Sequence, residues 1–550
     1  MSEFTLGLDF GTSTTLVALP GLEPRVFPIG KEAGNAWMPS VLSIDDSAQW
    51  TVGEDADKGA IADQFRSPKS AITLNHQTIR NGNGVEISAD DAIKKVIAEI
   101  SARCIENGLK NFSQVRLSCP AMWTGAQRKR LIQLVNEAGF VSDIDNVLDE
   151  PISASIAWWW SRFSKGLKIT QKQRAVIFDL GGGTLDVAVV DIYPRPGMPE
   201  MTILSARGIA VAGDELDKAL AKHVTARLLE ECNYDVNLQA DKSLVEVAIR
   251  LASRECKEIL SSVDETTFHV DPRIAKVPTM KLLRVELNDV FRPQMQLAIN
   301  CVDAALREAR MKAGDNLSGP EIGKIPLEEL GLEIDFIVLA GGMSQIPKVS
   351  EDLQTLMPKA QIEFATSDQR TSTSAIVLGV ANQNEFADLN IHRPNFDFVF
   401  SYKDRTGTEH RAVVYPAFTP LYAPEQVMRG DDFLGFPIDW KPEDFPLGGK
   451  VYLSIETIGG RKVTLRNHDS SEDLELEFEA DKFQGIRMKI SANGKIIIHD
   501  RSGRTFIARV REWPHIRWTS TMDFSKFALK LELAPVNSDT GKGTDWWRGK

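Results

Sequence analysis

Read for its apolar positions alone, the chain changes character around Asn384 to Pro394. Upstream, short apolar runs alternate with segments whose apolar residues recur at helical spacing. Downstream, Asn395 to Leu533 strings short strands between turns rich in Gly, Pro and Asp. In the first part, Val176 to Asp191 (VIFDLGGGTLDVAVVD) predicts a strand, a glycine turn and a second strand. Phe4 to Leu19 (FTLGLDFGTSTTLVAL) repeats that layout, and Phe336 to Val349 (FIVLAGGMSQIPKV) predicts a strand, a glycine pair and a helix after Pro347. Between them, helices are predicted over Gly84 to Leu109, with Ala92, Val96, Ile97, Ile100 and Ile105 on one face, and from Thr124 as N-cap through Val135. Val147 to Trp160 places Glu150 before Pro151, suited to a first helical turn. Three consecutive tryptophans, Trp158 to Trp160, cannot share one helical face, so at least one is expected to be exposed or to meet another domain.

Further helices are expected from Ala210–Asp217 through Leu229 and over Val245 to Ser262, with a strand section over Thr267 to Val285. Ser374 to Asn382 reads as a small-residue helix closing the lobe that holds the third turn. Beyond Pro394, strands are expected at Val451 to Ile458, Lys462 to Leu465, Leu474 to Phe478, Ile486 to Ile490 and Lys495 to His499. Asn493-Gly494 marks a hairpin, and the charges of Ser471 to Glu479 one solvated strand face. The fold class is thus α/β with two lobes, followed by a mainly-β, sandwich-like domain. Domain boundaries fall at 1–383, a linker 384–394, a β-rich region 395–535 and a flexible tail 536–550.

The glycine turns carry the candidate chemistry. Glycine leaves no side chain between backbone and ligand, and successive amides in such a turn make a concave anion site. Asp9 and Asp179 precede the first two turns, and an acid beside an anion site makes sense when a cation lies between them. One such turn is ordinary, since Gly and Asp are turn residues anyway. Two copies suggest a duplicated fold whose lobes grip one phosphate chain from opposite sides. The third turn suits close approach of a flat neutral group such as a base and ribose.

Composition narrows the classes. A formal net charge of −12 argues against nucleic-acid binding as the main task. Hydrophobic content of 43% and charged content of 25% are those of a soluble globular protein. Five scattered cysteines form neither a disulfide framework nor a zinc site, and His76, His269 and His392 show no ligand spacing. With no signal-peptide pattern after Met1 and no apolar run of bilayer length, the expected setting is cytoplasmic, with no membrane partner.

The stretches LDFGTSTT, SPKS, CPAMWTGAQR, DEPISASIAW, FDLGGGTLDV, AGDELD, ECKEILSS and VLAGGMSQIPKV, in this order over residues 4–382, resemble the actin-like ATPase superfamily. Within it the chain resembles the seventy-kilodalton heat-shock (DnaK-type) chaperones. That resemblance implies ATP or ADP with Mg²⁺, and K⁺ as a candidate second cation, in a cleft between two lobes. It implies metal-water ligation by Asp9 and Asp179, and phosphate contacts from Gly11, Thr12, Ser13, Thr14, Gly181, Gly182, Gly183 and Thr184. Lys69 would stabilise γ-phosphate charge and position the attacking water, while Glu150, Asp179 and Thr184 complete the catalytic set. Gly213, Asp214, Lys257, Glu258, Ser261, Gly341, Gly342 and Met343 would line base and ribose, and Pro120 and Arg128 would relay nucleotide state to the second domain. Asp186 takes a supporting role.

The base side departs from that pattern. Glu258 stands where a basic residue commonly stacks on adenine, Arg254 where an acid faces the ribose, Met343 in place of a serine and Gln345 in place of an arginine. EFADLNIHRP replaces the acidic-flanked leucine linker, and no helical lid is expected after the last strand. The leading expectation is a slow, Mg²⁺-dependent ATPase of chaperone type whose β domain binds polypeptide, with a J-domain co-chaperone and an exchange factor as implied partners. The alternative is a nucleotide-switched scaffold dedicated to one protein partner. A small-molecule kinase and an actin-like filament rank below both.

Overall fold

The computed structural model describes residues 4–533 apart from 22–23, 33–34, 46, 110–111, 145–146, 165–169, 195–199, 314–318, 367–372, 383–392, 421–434, 441–448, 468–472, 481–484, 492–494, 511–515 and 521–528. Two sheets with one shared plan build the lobes. In the first, the strands run Arg25–Phe27, Thr14–Leu19, Phe4–Phe10, Phe112–Cys119, Val147–Asp149, with Trp37–Pro39 also pairing to Thr14–Leu19. In the second they run Glu200–Ile209, Leu185–Tyr193, Gln173–Leu180, Phe336–Ala340, Gln361–Phe364. Each has an antiparallel glycine hairpin at its centre and two parallel strands on the far side. The duplication expected from the two hairpins is therefore visible strand by strand.

Alternation decides what each strand of the second sheet meets. Val176 and Phe178 pack into a core shared with Leu216, Leu220, Ile249 and Phe291 of helices Gly213–Cys232, Lys242–Leu260 and Arg284–Lys312. Ala175 and Ile177 pack on the other face, against helix Glu150–Ser164. Burial on both faces explains the near-continuous apolar run of these strands.

Within that same helix, none of the three tryptophans is exposed: Trp158, Trp159 and Trp160 are all buried in one core with the second sheet and Ala375. Helix Glu150–Ser164 touches the second sheet and also helix Ala375–Ala381, so more than one of its faces is covered. The Trp158 indole donates to Glu363 Oε2 at 2.7 Å, and the Arg162 guanidinium lies over the same ring. Helix Ala375–Ala381 also sits differently from expectation. Its Val377 and Ala381 join Leu16 and Ala18 of the first lobe while Ala375 stays in the core of the second sheet, so it bridges the two lobes and does not close its own alone. Glycines make both approaches feasible: a Cβ on Gly7 would lie 2.9 Å from Ala381 N, and one on Gly379 would lie 1.9 Å from the Ser153 carbonyl oxygen of helix Glu150–Ser164. In helix Ala89–Glu106, Ala92, Val96, Ile97 and Ile100 are buried, but Ile105 is 61% exposed. Five residues beyond Ile100, it has turned about 140° off the face, and Cys104 fills the core position.

After Pro394 the described chain is all strand. One antiparallel sheet runs Glu409–Tyr415, Phe396–Lys403, Gly449–Thr457, Leu476–Ala480; another runs Gly435–Trp440, Ile486–Ser491, Lys495–His499, Thr505–Val510, Leu465–Asn467, Asp473–Leu474. Phe398, Phe400, Val451 and Phe478 from one and Met488, Ile490, Ile496 and Ile498 from the other share one core. Leu476, Phe478 and Ala480 point inward while Glu477 and Glu479 are exposed, the solvated face expected there. The strand expected from Lys462 begins at Leu465, with an isolated bridge at Lys462. Asn493-Gly494, most of the 384–394 segment and the 536–550 tail lie outside the described residues. Among the described residues no helix is long and apolar enough to cross a membrane.

Candidate functional site

The two hairpin tips meet across a cleft. A Cβ on Gly182 would stand 2.5 Å from Ser13 Oγ, and one on Gly183 would stand 2.6 Å from Thr12 Oγ1. Hydroxyls of the first lobe thus rest directly on bare backbone of the second. Gly213 N–H donates to the Gly181 carbonyl at 3.2 Å and Asp214 N–H to the Gly182 carbonyl at 2.7 Å, fixing the second turn onto the start of helix Gly213–Cys232. Gly341, at φ 76°, passes so close that a Cβ would meet the Leu180 carbonyl oxygen at 2.4 Å and Asp179 Oδ1 at 2.5 Å.

At the floor, Lys69 Nζ donates to Glu150 Oε1 at 2.5 Å, both side chains nearly buried. Asp9 accepts from Ser118 Oγ at 2.7 Å. Burial would lower the Lys69 ammonium, but Glu150 and Asp9 together hold it above its ordinary value. Burial pushes Asp9 up to about 6, against the opposing pull of Lys69 and with a further push from Glu150. Asp179 is raised well above the usual carboxylate range, first by burial and then by the charges of Glu150 and Asp9. Its Oδ1 is buried without a hydrogen-bond partner.

This donor set fits a hard cation. Asp9, Glu150 and Asp179 put three carboxylates beside one lysine, and the Asp179 oxygen lacks any protein donor. Mg²⁺ takes oxygen ligands and keeps several waters, with phosphate oxygens supplying others. Among the described residues no three acid, His or Cys side chains come together as a direct ligand group.

The same cleft continues to the base-side candidates. Gly11, Thr12, Ser13, Thr14, Thr184, Gly213, Asp214, Lys257, Glu258, Ser261, Gly341, Gly342 and Met343 all line it. Lys257 Nζ donates to Asp217 Oδ1 at 2.5 Å, and Arg254 Nε to Glu258 Oε1 at 3.1 Å, one helical turn apart. The two charge departures in the sequence therefore pair with each other. Asp217 closes the AGDELD stretch, but its bond to Lys257, 40 residues away, was not legible in the sequence.

Neither Pro120 nor Arg128 lines the cleft, and Arg128 lies at a contact with the β region. Arg128 has no exposure; its Nη2 donates to Asp149 Oδ1 at 2.5 Å and its Nε to the Trp123 carbonyl at 3.1 Å. Arg393 donates to the other oxygen, Asp149 Oδ2, and to the Ala121 carbonyl, both at 2.5 Å. The Phe418 ring lies 4.2 Å from the Arg128 guanidinium carbon, and Gly125 N–H donates to the Ala417 carbonyl at 2.7 Å. That carbonyl caps a free donor of helix Gly125–Glu137. Asp149 directly precedes Glu150, and Ala121 N–H donates to Asp186 Oδ1 at 2.6 Å. The docking contact thus sits one residue from the floor of the cleft and one hydrogen bond from the second hairpin. Sequence reading placed Arg393 in a linker and left Asp149 and Phe418 without a role.

A family model described as Hsp70 protein matches residues 72–391. The match takes in the second and third glycine turns and begins downstream of the first. The chain is 25% identical over 393 residues to the chaperone protein DnaK of Thermotoga petrophila and of Thermotoga maritima, and 24% identical over 391 residues to that of Thermosipho melanesiensis. Each alignment takes in 68% of this chain and 59% of the relative, so the chain spans less than two thirds of the relatives it matches.

Proposed function

The chain belongs to the Hsp70 family, and on that footing we propose that it is a slow ATPase of chaperone type, working in the cytoplasm, whose nucleotide state is felt by the β region. The observation that carries this reading is the meeting of both glycine turns with the Lys69–Glu150 pair and the unpartnered Asp179 oxygen in one cleft. The amides and hydroxyls of Gly11–Thr14 and Gly181–Thr184 would hold the phosphate chain. Asp9 and Asp179 would hold Mg²⁺, and K⁺ if a second cation takes part, through water. Bound there, Mg²⁺ supplies charge neutralisation between phosphate oxygens. Lys69, fixed by Glu150, aims a positive charge at the terminal phosphate and orients a water beside it. Glu150 keeps that ammonium charged and accepts hydrogen bonds from the water network. Gly213, Lys257, Ser261, Gly341 and Gly342 would receive ribose and base.

The proposed division is an ATPase domain over 1–383, a linker over 384–394, a sandwich-like polypeptide-binding domain over 395–535 and a tail beyond. The Arg128–Asp149–Arg393 contact gives the β region a physical route to Glu150. Lys69→Ala and Asp179→Ala should each lower Mg²⁺-dependent ATP turnover by about 10²–10³-fold, the scale of one lost electrostatic contact to the transition state. Turnover unchanged in both variants, measured by phosphate release, would sink the reading.

A nucleotide-switched scaffold for one protein partner is the second reading, favoured by the EFADLNIHRP segment in place of a leucine linker. Suppression of aggregation of several unrelated unfolded proteins, stimulated by a J-domain protein or an exchange factor, supports the chaperone. One stable co-purifying partner supports the scaffold.

A further inference from the structure

Helix Lys69–Thr73 carries the lysine at its first residue and is only five residues long. So short a helix makes too few internal bonds to persist unaided. Its last carbonyls have no partners within the helix itself. The segment Trp123–Gln127 supplies what it lacks. Gln127 Nε2 donates to the carbonyls of Ile72 and Thr73, at 3.1 and 3.0 Å. The Trp123 indole N–H donates to Thr73 Oγ1 at 3.1 Å, and the Lys69 ammonium lies 5.7 Å from the centre of the Trp123 ring.

The two ends of the Gln127 amide have separate tasks. Its Oε1 accepts from the Thr124 N–H at 2.9 Å and from Thr124 Oγ1 at 3.2 Å, closing the N-terminus of helix Gly125–Glu137. Its Nε2 carries two hydrogens, and both go to the helix that bears Lys69. Turned over, the amide would set its oxygen against two carbonyls and its nitrogen against the Thr124 N–H, so its orientation is determined. The turn that holds Gln127 is fixed from outside as well, since Gly125 N–H donates to the Ala417 carbonyl at 2.7 Å. Glu150 holds Lys69 only at Nζ, whereas Gln127 holds the backbone that Lys69 springs from.

We propose that Gln127 is a positioning residue, its amide nitrogen clamping the last turn of helix Lys69–Thr73 and so aiming Lys69 at the terminal phosphate. The role rests on the ATPase reading above. A helix this short moves as one body, and freeing its last turn lets its first residue shift. Gln127 itself does not line the cleft, so nucleotide binding is left to the glycine turns.

The test uses the full chain. Gln127→Glu keeps an oxygen for the Thr124 N–H but sets another against the Ile72 and Thr73 carbonyls. Gln127→Met keeps the length and loses both sets of bonds. In single-turnover ATP hydrolysis with Mg²⁺, each variant should slow the hydrolytic step by about 10- to 100-fold, the scale of a group displaced by roughly 1 Å. ATP affinity, by titration calorimetry, should stay close to wild type. Amide exchange over 70–76, measured without nucleotide, should be faster in both variants, while 128–137 stays protected in Gln127→Glu. Slow hydrolysis in Gln127→Met with the wild-type rate in Gln127→Glu would mean that the cap matters and the clamp does not, which overturns the proposal. Wild-type rates in both variants, with faster exchange, reduce the bonds to structure alone and overturn it too. So does a loss of affinity as large as the loss of rate. A wild-type chain with no Mg²⁺-dependent turnover overturns the ATPase reading and the positioning role with it, whatever the exchange shows.

Discussion

Gly182 has no room for a methyl group, since a Cβ would stand 2.5 Å from Ser13 Oγ. Gly182→Ala should therefore push the Ser13 hydroxyl out of place and part the two hairpin tips. The expected outcome is at least a tenfold loss of ATP affinity by titration calorimetry, with a melting temperature close to wild type. Affinity equal to wild type would show that the turns do not close on phosphate. At this scale, glycines and acids in fixed order announce themselves, because few other jobs need bare backbone beside carboxylates. Ser118 on Asp9, Asp217 on Lys257 and Asp149 between two arginines did not, because each gains its meaning from a partner remote in sequence.

Helix Ala375–Ala381 shows what governs an element. Its small residues predicted a close-packed helix, and the helix is there. Period alone could not tell which lobe it would pack on, since an apolar face carries no address. The same holds for Trp158–Trp160: periodicity required more than one face to be occupied, and only the surrounding elements decided that every face would be buried. Gly379→Ala sets a Cβ 1.9 Å from the Ser153 carbonyl oxygen, so the helix must lift from helix Glu150–Ser164. Overpacking of this kind costs about 1–3 kcal/mol. A lower melting temperature together with faster amide exchange over 375–381 is expected. Unchanged exchange there would mean that the crossing is looser than the geometry requires.

For the whole molecule, the change of pattern near Asn384–Pro394 was legible and the docking was not. Arg393 read as linker and Phe418 carried no assignment, yet together with Arg128 and Asp149 they form a buried contact between the β region and the first lobe. Removing Arg393 leaves Asp149 Oδ2 and the Ala121 carbonyl without their buried donor while Arg128 keeps its bond to Asp149, a loss of about 1–3 kcal/mol. Arg393→Ala should lower the melting temperature and leave 384–394 open to limited proteolysis in every nucleotide state. The wild type should show protection that changes between ATP and ADP. Equal cleavage of wild type and variant in both nucleotides would mean that the contact transmits nothing. The matching strand order of the two sheets has one more consequence. A vice with near-identical jaws has no intrinsic front or back, whereas a nucleotide has a charged end and an aromatic one. Orientation must then come from what was added to each jaw unequally: Lys69 and hydroxyls on one side, bare glycine and a helix-borne pocket on the other. Duplication supplies the grip, and the departures from symmetry tell the ligand which way round to lie.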